Sequence, residues 1–342
     1  PTQQGVLSGE DYNPQVERHH LEALVRDGSG WIEHDSRTQE SESTNGKYSE
    51  YKAPRPIRTH AREIDAVLSD VRICDPAVGS GAFPVGMMQE IVQARQVLDT
   101  YIDDEIEREA YPLKRHAIQH SLHGVDIDPS AIDIAQLRLW LSLVVDEEDF
   151  EDIRPLPNLR YKFVQGDALQ KIERSFFNNE QEAQLHALME EFVSTAHPSE
   201  KERLQEQIDE HLSELLGDGQ FDFGLYFGTV FKEQDGFDVV IGNPPYVTAG
   251  NLTDQQKDAL KGYEIYKKSA DYCTYFVERG MNLLRPDGQL AYIIKNKWLR
   301  ARYGNKLRRW LKSRELTEII DFKDLPVFQG VIAYPCIFRG VN

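Results

Sequence analysis

The sequence has few cysteines and no long apolar run, and each of these absences excludes a class of protein. Its three cysteines, Cys74, Cys273 and Cys336, lie far apart without a CxxC spacing. This pattern excludes a disulfide framework, gives a zinc site no support, and predicts buried free thiols. No stretch approaches about 18 consecutive apolar residues, and the amino end has no basic-then-apolar leader. We therefore expect a cytoplasmic protein without a membrane span or a secretory signal.

The composition is that of a folded globular protein with an acidic balance. Of 342 residues, 28% are charged and 40% are hydrophobic, which excludes disorder as the whole account. The length suffices for one large α/β domain or two ordinary ones. The chain begins at Pro1 and stops at Asn342 after a strand-like run, which leaves open that it is a piece of a longer polypeptide. The formal net charge of −18 argues at first against a nucleic-acid partner, because an acidic surface repels phosphate.

From residue 71 onward, short β-branched runs alternate with helical segments, which predicts a doubly wound, mostly parallel sheet. The segment 322–330 between the last two runs is too short for a crossover helix, so the final strand should be antiparallel to its neighbour. The seven predicted strands span residues 71–74, 122–126, 161–165, 237–242, 289–294, 317–321 and 331–338.

The remaining segments suggest how the chain is organised. Residues 1–70 are polar and weakly periodic, and we expect a partly flexible polar or helical extension with a loop at 35–50. Residues 71–342 are predicted to form one domain. Within it, 171–220 have helical spacing and many charges, which indicates a helical insertion. A solvated hairpin is the favoured interpretation, and a partner-binding arm is the alternative.

Acidic residues follow three successive predicted strands. Asp75 precedes Gly79 and Gly81 in CDPAVGSGAF, where glycines let the backbone approach a ligand. The spacing fits neither a dinucleotide nor a phosphate loop, and an acid here indicates a cationic ligand; a plain tight turn is the alternative. Asp126 in GVDIDP and Asp167 in QGDAL end the next two strands. Helix caps are the alternative for both, but three acids at neighbouring strand ends would line one crevice.

The fourth strand ends in IGNPPYV, the most specific signal in the chain. Two successive prolines fix φ and remove two backbone donors, so the loop is stiff and presents carbonyls. The side-chain oxygen of Asn243 and the carbonyl of Pro244 are therefore poised acceptors beside the ring of Tyr246. Such a site suits an NH₂ group on a flat ring, whose nitrogen lone pair it frees to attack. A proline-stiffened loop with a packed tyrosine is the alternative.

These motifs, in this order and each at a strand end, resemble the S-adenosylmethionine-dependent amino-methyltransferases, most closely the gamma-class adenine-N6 DNA methyltransferases. The runs LPVFQG and KNKWLRARYGNKLRRWL are similar to the methyltransferase region of type IIG restriction–modification enzymes and phage-exclusion (BREX-type) methyltransferases. The resemblance covers residues 52–340 and implies a seven-stranded Rossmann-like class I methyltransferase fold. It also implies S-adenosyl-L-methionine as cofactor and no metal.

The resemblance implies a role for each matching residue. Asp75 and the glycines would surround the methionine part of the cofactor, Asp126 would hold the ribose hydroxyls, and Asp167 would accept from the adenine amino group. The implied cofactor site comprises Asp75, Ala77, Gly79, Gly81, Phe83, Asp126, Ile127, Asp167, Ala168 and Asn243.

The implied catalytic residues are Asn243, Pro244 and Tyr246. The two acceptors would bind N6 of a flipped adenine, and Tyr246 would stack on the base. Phe328 of LPVFQG would stack from another side; a core phenylalanine is the alternative. The expected mechanism is direct in-line methyl transfer without a nucleophilic residue, on double-stranded DNA whose target base leaves the duplex.

The sequence also departs from the family. YKAPRP at 51–56 lacks the threonine of a Tyr-Thr-Pro-like motif, and no target-recognition domain follows the last strand. We expect that domain, and in type IIG enzymes a nuclease module, elsewhere in a full-length chain or complex. Two other functions stay open: methylation of RNA bases or protein glutamine by the same NPPY chemistry, and a regulatory S-adenosylmethionine-binding module of a defence nuclease complex.

The location of the charges removes the objection that an acidic protein would not bind DNA. Segments 99–109, 146–152 and 171–220 together carry a net charge of −19, whereas 295–314 hold nine Lys or Arg and no acid. We expect this basic stretch to meet DNA phosphates, with a solvated helix face as the alternative. The residues expected to contact the DNA backbone are Lys297, Arg300, Arg302, Lys306, Arg308 and Arg309.

Overall fold

The computed structural model describes most of the chain, and the statements below concern the residues that it describes. These are 15–40, 53–102, 109–145, 158–172, 179–195, 197–217, 220–325, 327 and 334–342. Most of the predicted loop at 35–50 therefore lies outside the described residues, while 35–40 end a helix.

A seven-stranded mixed sheet organises the chain. The strand order is β3-β2-β1-β4-β5-β7-β6. The first five strands pair in parallel, and β7 is antiparallel to both β5 and β6. The predicted doubly wound, mostly parallel sheet and its antiparallel last strand are thus confirmed. The strands are β1 (Ile73–Asp75), β2 (Leu122–Asp126), β3 (Phe163–Gln165), β4 (Phe237–Gly242), β5 (Leu284–Lys295), β6 (Glu315–Asp321) and β7 (Pro335–Val341).

Helices connect the strands, as a parallel sheet requires. Among the described residues, no helix has the length and apolar content needed to cross a membrane. The helices are α1 (Arg18–Glu40), α2 (Arg55–Thr59), α3 (Ala61–Asp70), α4 (Ala82–Asp99), α5 (Ala110–His116), α6 (Pro129–Val144), α7 (Asn179–Ser194), α8 (Pro198–Leu216), α9 (Phe223–Tyr226), α10 (Gly228–Gln234), α11 (Asp254–Ala259), α12 (Cys273–Leu283) and α13 (Asn305–Leu311).

Central strands are buried because helices cover both faces of a parallel sheet. All three residues of β1 and the first four of β2 are buried. β6, at the sheet edge, is instead mostly exposed or half-buried, and its Leu316 and Ile320 are exposed. The apolar core cluster that packs along the sheet includes Phe221, Phe237, Tyr275 and Trp298.

The chain forms two compact units. One draws on segments 1–70, 86–121 and 143–153, and the other comprises 71–85, 122–142 and 154–342. The first unit has its own apolar cluster, which includes Trp31 and Ile57. The second contains all seven strands, and every residue of the candidate site described below belongs to it.

The predicted helical insertion is a hairpin of α7 and α8 between β3 and β4. Its inner face forms a separate apolar cluster that includes Phe192, Leu204 and Ile208, while most of its charged side chains are exposed. Asp209 of this hairpin accepts a hydrogen bond from the Tyr161 hydroxyl at 3.0 Å and pairs with Arg160 at 2.8 Å. The insertion is therefore fixed to the residues that lead into β3.

A buried carboxylate on α12 organises the segment before that helix. Glu278 is 1% exposed and accepts the backbone N–H groups of Glu264 at 3.1 Å and Ile265 at 3.0 Å. The ammonium of Lys171 lies 3.4 Å from the same carboxylate. Buried backbone donors need such acceptors because they have lost their water.

Glu278→Ala should lower the free energy of unfolding by about 2–5 kcal/mol, because it leaves two amide donors without their acceptor and removes the carboxylate that pairs with Lys171. Urea denaturation of the variant and the wild type would measure this loss. Glu264→Ala removes an exposed carboxylate from the same neighbourhood and should change stability by less than about 0.5 kcal/mol. Equal losses in the two variants would contradict the assigned role of Glu278.

Candidate functional site

The turn between β1 and α4 depends on two glycines with positive φ. Gly79 has φ +50° and Gly81 has φ +80°, a region that side chains disfavour. A Cβ on Gly81 would lie 3.0 Å from the Cα of Ala135, so this glycine permits close approach of α6. A Cβ on Gly79 would instead point into space that no described residue occupies. The backbone at Gly79 is therefore open to a ligand.

Asp75 is a buried carboxyl with unused hydrogen-bonding capacity. It is 1% exposed, and its Oδ1 accepts the backbone N–H of Ala77 at 3.0 Å. Its Oδ2 is buried and has no hydrogen-bond partner among the described residues. Burial raises the pKa of Asp75 to about 8; the bond from Ala77 opposes this shift, and the negative charge of Asp126 adds to it. A cationic group placed at Oδ2 would satisfy and ionise this carboxyl.

Asp126 joins the end of β2 to the glycine turn. Its Oδ2 accepts the N–H of Gly79 at 2.8 Å, and its Oδ1 accepts the N–H of Asp128 at 3.0 Å. It is half-buried, and carboxylate oxygens can each accept more than one bond. The next residue, Ile127, is 63% exposed and presents an apolar surface at the same strand end.

Asp167, which follows β3, likewise accepts a backbone N–H from the residue two positions further along the chain. Its Oδ1 accepts the N–H of Leu169 at 2.9 Å, so the carboxylate also shapes its own turn. Ala168 is buried, and its carbonyl accepts from Arg279 Nε at 2.9 Å. The backbone N–H of Gly166 donates to the Asp126 carbonyl at 2.8 Å, which brings the ends of β2 and β3 together.

Asp167, one of the three predicted strand-end acids, borders a crevice of about 550 Å³, whereas Asp75 and Asp126 are not among the described residues that line it. Ile127, Gly166 and Asp167 line its sheet side, and Asp209 and Ser213 of α8 line the other. The helical insertion thus forms one wall of the crevice, which its charged composition did not reveal. The other predicted cofactor residues, Ala77 and Phe83, are half-buried in or just after the glycine turn.

The NPPY loop begins at the carboxyl end of β4, beside Asp75. A Cβ on Gly242 would lie 2.5 Å from the Asp75 Oδ1, so glycine is needed where the two strand ends meet. Asn243 is exposed, Pro244 is buried and Tyr246 is half-buried. Exposure of the Asn243 side chain leaves its amide oxygen accessible to a ligand.

Tyr246 is held at both ends. Its hydroxyl donates to the Ile293 carbonyl at 3.3 Å, and its own carbonyl accepts from the Lys295 ammonium at 2.9 Å. The Val247 carbonyl accepts the N–H of Tyr272 at 2.9 Å. Burial raises the pKa of the Tyr246 hydroxyl, which therefore remains a neutral donor. The roles of Gly242, Lys295 and Tyr272 had no sequence signal, because each depends on a contact distant in the chain.

The basic stretch follows β5 directly and is not one continuous helix. Short 3-10 turns at 296–299 and 302–304 precede α13, and Trp298, Leu307 and Trp310 are buried. Five predicted DNA contacts are exposed: Lys297, Arg300, Arg302, Lys306 and Arg309.

Arg308 differs from those five because its guanidinium is half-buried and donates to the Trp298 and Ala301 carbonyls. Lys297 and Arg300 border a further cavity of about 550 Å³ together with Asp321 and Tyr334. Phe328, the predicted second stacking residue, lies outside the described residues.

The chain is similar to known proteins in sequence and in fold. The family model of the Eco57I restriction-modification methylases matches residues 120–328. RM.Eco57I of Escherichia coli, a type II restriction enzyme and methyltransferase, is 24% identical over 291 residues, covering 80% of this chain and 25% of that protein. The adenine-specific methyltransferase PglX of Streptomyces coelicolor is 25% identical over 269 residues, covering 74% and 19%.

The chain spans between 19% and 30% of the lengths of the curated relatives that it matches along most of its own length. Among solved structures, the type IIL restriction-modification enzyme MmeI in complex with DNA has a TM-score of 0.53 at 14% identity. That match covers 96% of this chain and 36% of MmeI, and it shows a shared fold.

Asp75 should make the protein less stable as pH rises. The folded chain holds this proton up to about pH 8, whereas the ordinary pKa is 3.8. Because the folded state binds more protons between these values, the free energy of unfolding falls with pH across this window, by at most about 1.4 kcal/mol per pH unit. Asp75→Asn should therefore lose less stability than wild type between about pH 5 and pH 8 in urea denaturation.

Asp133→Asn is the matched control, because Asp133 is an exposed carboxylate on α6. Its free energy of unfolding should have the same pH dependence as that of the wild type. If the Asp75 and Asp133 variants had the same pH dependence as wild type, the raised pKa of Asp75 would be refuted.

Proposed function

The chain belongs to the Eco57I restriction-modification methylase family, and from this premise we propose that it methylates the N6 amino group of adenine in DNA, with S-adenosyl-L-methionine as cofactor, within a restriction–modification or phage-defence enzyme. The observation that carries the proposal is the position of Asn243 and Pro244 at the end of β4, next to the buried Asp75 of the glycine turn.

The acceptors suit an aromatic amino group. The Asn243 oxygen and the Pro244 carbonyl would take the two N–H groups of N6, while Tyr246 supplies a flat surface for the base. Stacking on one aromatic side chain contributes about 1–3 kcal/mol, which offsets part of the cost of moving a base out of a duplex. The name of PglX as an adenine-specific methyltransferase supports adenine as the target.

The residues at the strand ends fit the cofactor. The unpartnered Oδ2 of Asp75 suits an ammonium group, and the open backbone at Gly79 admits a ligand beside it. Asp126 retains acceptor capacity for ribose hydroxyls, and Ile127 and Asp167 border the crevice that would take the adenine. When bound, S-adenosylmethionine supplies an activated methyl group, and the protein contributes position and acceptors.

DNA as substrate is supported by the exposed cations that follow β5. Lys297, Arg300 and Arg302 lie within seven residues of Lys295, which contacts the NPPY tyrosine. MmeI, which shares the fold, was solved in complex with DNA. Type II restriction enzymes and methyltransferases among the relatives support a restriction–modification setting.

Asn243→Ala should reduce methyl transfer by about 100- to 1000-fold, as loss of one preorganised polar contact to the reacting group does. The full-length protein would be incubated with tritiated S-adenosylmethionine and duplex DNA, ribosomal RNA or a glutamine peptide. Asn251→Ala, an exposed asparagine nearby, should retain activity. Label in RNA or peptide alone would contradict the DNA assignment, and unchanged transfer by the Asn243 variant would contradict the catalytic one.

Cofactor binding should release close to one proton at about pH 7, because an ammonium at Asp75 favours the ionised carboxyl. Calorimetric titration with S-adenosylhomocysteine in two buffers of different ionisation enthalpy measures this proton. Asp75→Asn should release none, whereas Asp133→Asn should match wild type. Equal proton release from wild type and the Asp75 variant would place the ammonium elsewhere.

A further inference from the structure

The centre of the NPPY loop has no backbone N–H donors that could hold the loop in place. Pro244 and Pro245 have no N–H group, so these positions offer acceptors alone. The acceptors of Asn243 and Pro244 must also remain available for a substrate. The loop therefore has to be held through the residues that follow, by donors that come from other elements.

The donors that the structure describes come from two places. The N–H of Tyr272, just before α12, donates to the Val247 carbonyl at 2.9 Å. The ammonium of Lys295, the last residue of β5, donates to the Tyr246 carbonyl at 2.9 Å. Tyr246 itself donates back to β5 at the Ile293 carbonyl. The end of β5 thus contacts the tyrosine at both its backbone and its hydroxyl.

Lys295 is well placed for this contact. Its backbone lies in the sheet, opposite Pro335 of β7, so the start of its side chain is fixed. The residue is half-buried, and its ammonium lies 5.5 Å from the centre of the Tyr246 ring. That distance is within the range of about 6 Å for attraction between a cation and an aromatic face. One side chain therefore restrains both the carbonyl and the ring of Tyr246.

We propose that Lys295 is the positioning residue of the NPPY loop: its ammonium holds Tyr246 so that the ring and the preceding acceptors keep the geometry that methyl transfer requires. This proposal rests on the function proposed above for the same loop. Lys295 belongs to the basic stretch by sequence, but its ammonium is directed to the loop and not to solvent phosphate. It acts through Tyr246 and has no assigned contact with the methyl group.

Lys295→Met preserves most of the apolar stem and removes the donor and the charge. It should lower kcat about 10- to 100-fold, because small displacements of reacting groups have effects of this size. Its cofactor dissociation constant should stay within about twofold of wild type, since all of the implied cofactor residues except Asn243 lie at other strand ends. Lys295→Arg, which retains a charged donor, should recover most of the lost kcat.

Hydrogen exchange tests the contact without any substrate. Peptides that cover residues 243–252 should exchange faster in Lys295→Met than in wild type, with the rest of the sheet unchanged. Lys268→Met, which removes an exposed lysine, should match wild type in exchange, kcat and cofactor binding. Because exchange is measured on the unliganded protein, it reports on Lys295 even if no methyl transfer to DNA is found.

Four results would overturn the proposal. One is unchanged exchange in residues 243–252 of Lys295→Met, which would show that the ammonium does not hold the loop. Another is wild-type kcat in that variant. The third is a general structural effect of Lys295→Met. It would be seen as a loss of cofactor affinity as large as the loss of kcat, or as faster exchange throughout the sheet. Lys295→Arg without recovery, despite normal exchange, would also exclude positioning by a charged donor.

Discussion

The candidate site depends on the contact between the Asp75 carboxyl and the backbone of Gly242. Parallel pairing of β1 with β4 brings these two strand ends together, and no Cβ fits between them. The glycine turn that follows β1 and the NPPY loop that follows β4 therefore start from one point. The proposed cofactor contact and the proposed substrate contact are thereby placed within reach of each other, as in-line transfer between two bound groups requires.

The two loops of this site are held in place in different ways, because they differ in residue type. Asp126 fixes the glycine turn by accepting the N–H of Gly79, so a flexible residue adopts one conformation. The NPPY loop has the opposite composition, because its prolines fix φ but supply no donors. It is therefore held through carbonyls and a tyrosine hydroxyl, by Tyr272 and the end of β5. Both loops thus depend on an adjacent strand or helix for their final geometry.

Much of this arrangement was predictable, because strand ends and turn residues are local signals. All seven strands and the antiparallel last strand follow from short apolar runs and the length of one connection. Contacts between distant residues were not predictable. Lys295 belongs to the basic stretch and Arg308 was predicted to contact DNA, yet Lys295 donates to Tyr246 and Arg308 to the carbonyls of Trp298 and Ala301. Nothing in the local sequence distinguishes them from their exposed neighbours.

The helical insertion shows that composition alone does not reveal all the contacts that a segment makes. Its acidic, helical sequence is typical of a solvated hairpin, and most of its charged side chains are indeed exposed. Yet α8 also has an apolar face, and its Asp209 accepts from Tyr161 just before β3. Those contacts place Ser213 and its neighbours against the crevice that Asp167 borders. One acid of the insertion, Asp209, therefore lies beside the crevice, while the exposed cations follow β5, which pairs with the strand that carries the NPPY loop. The total of −18 therefore describes neither the crevice nor the basic stretch.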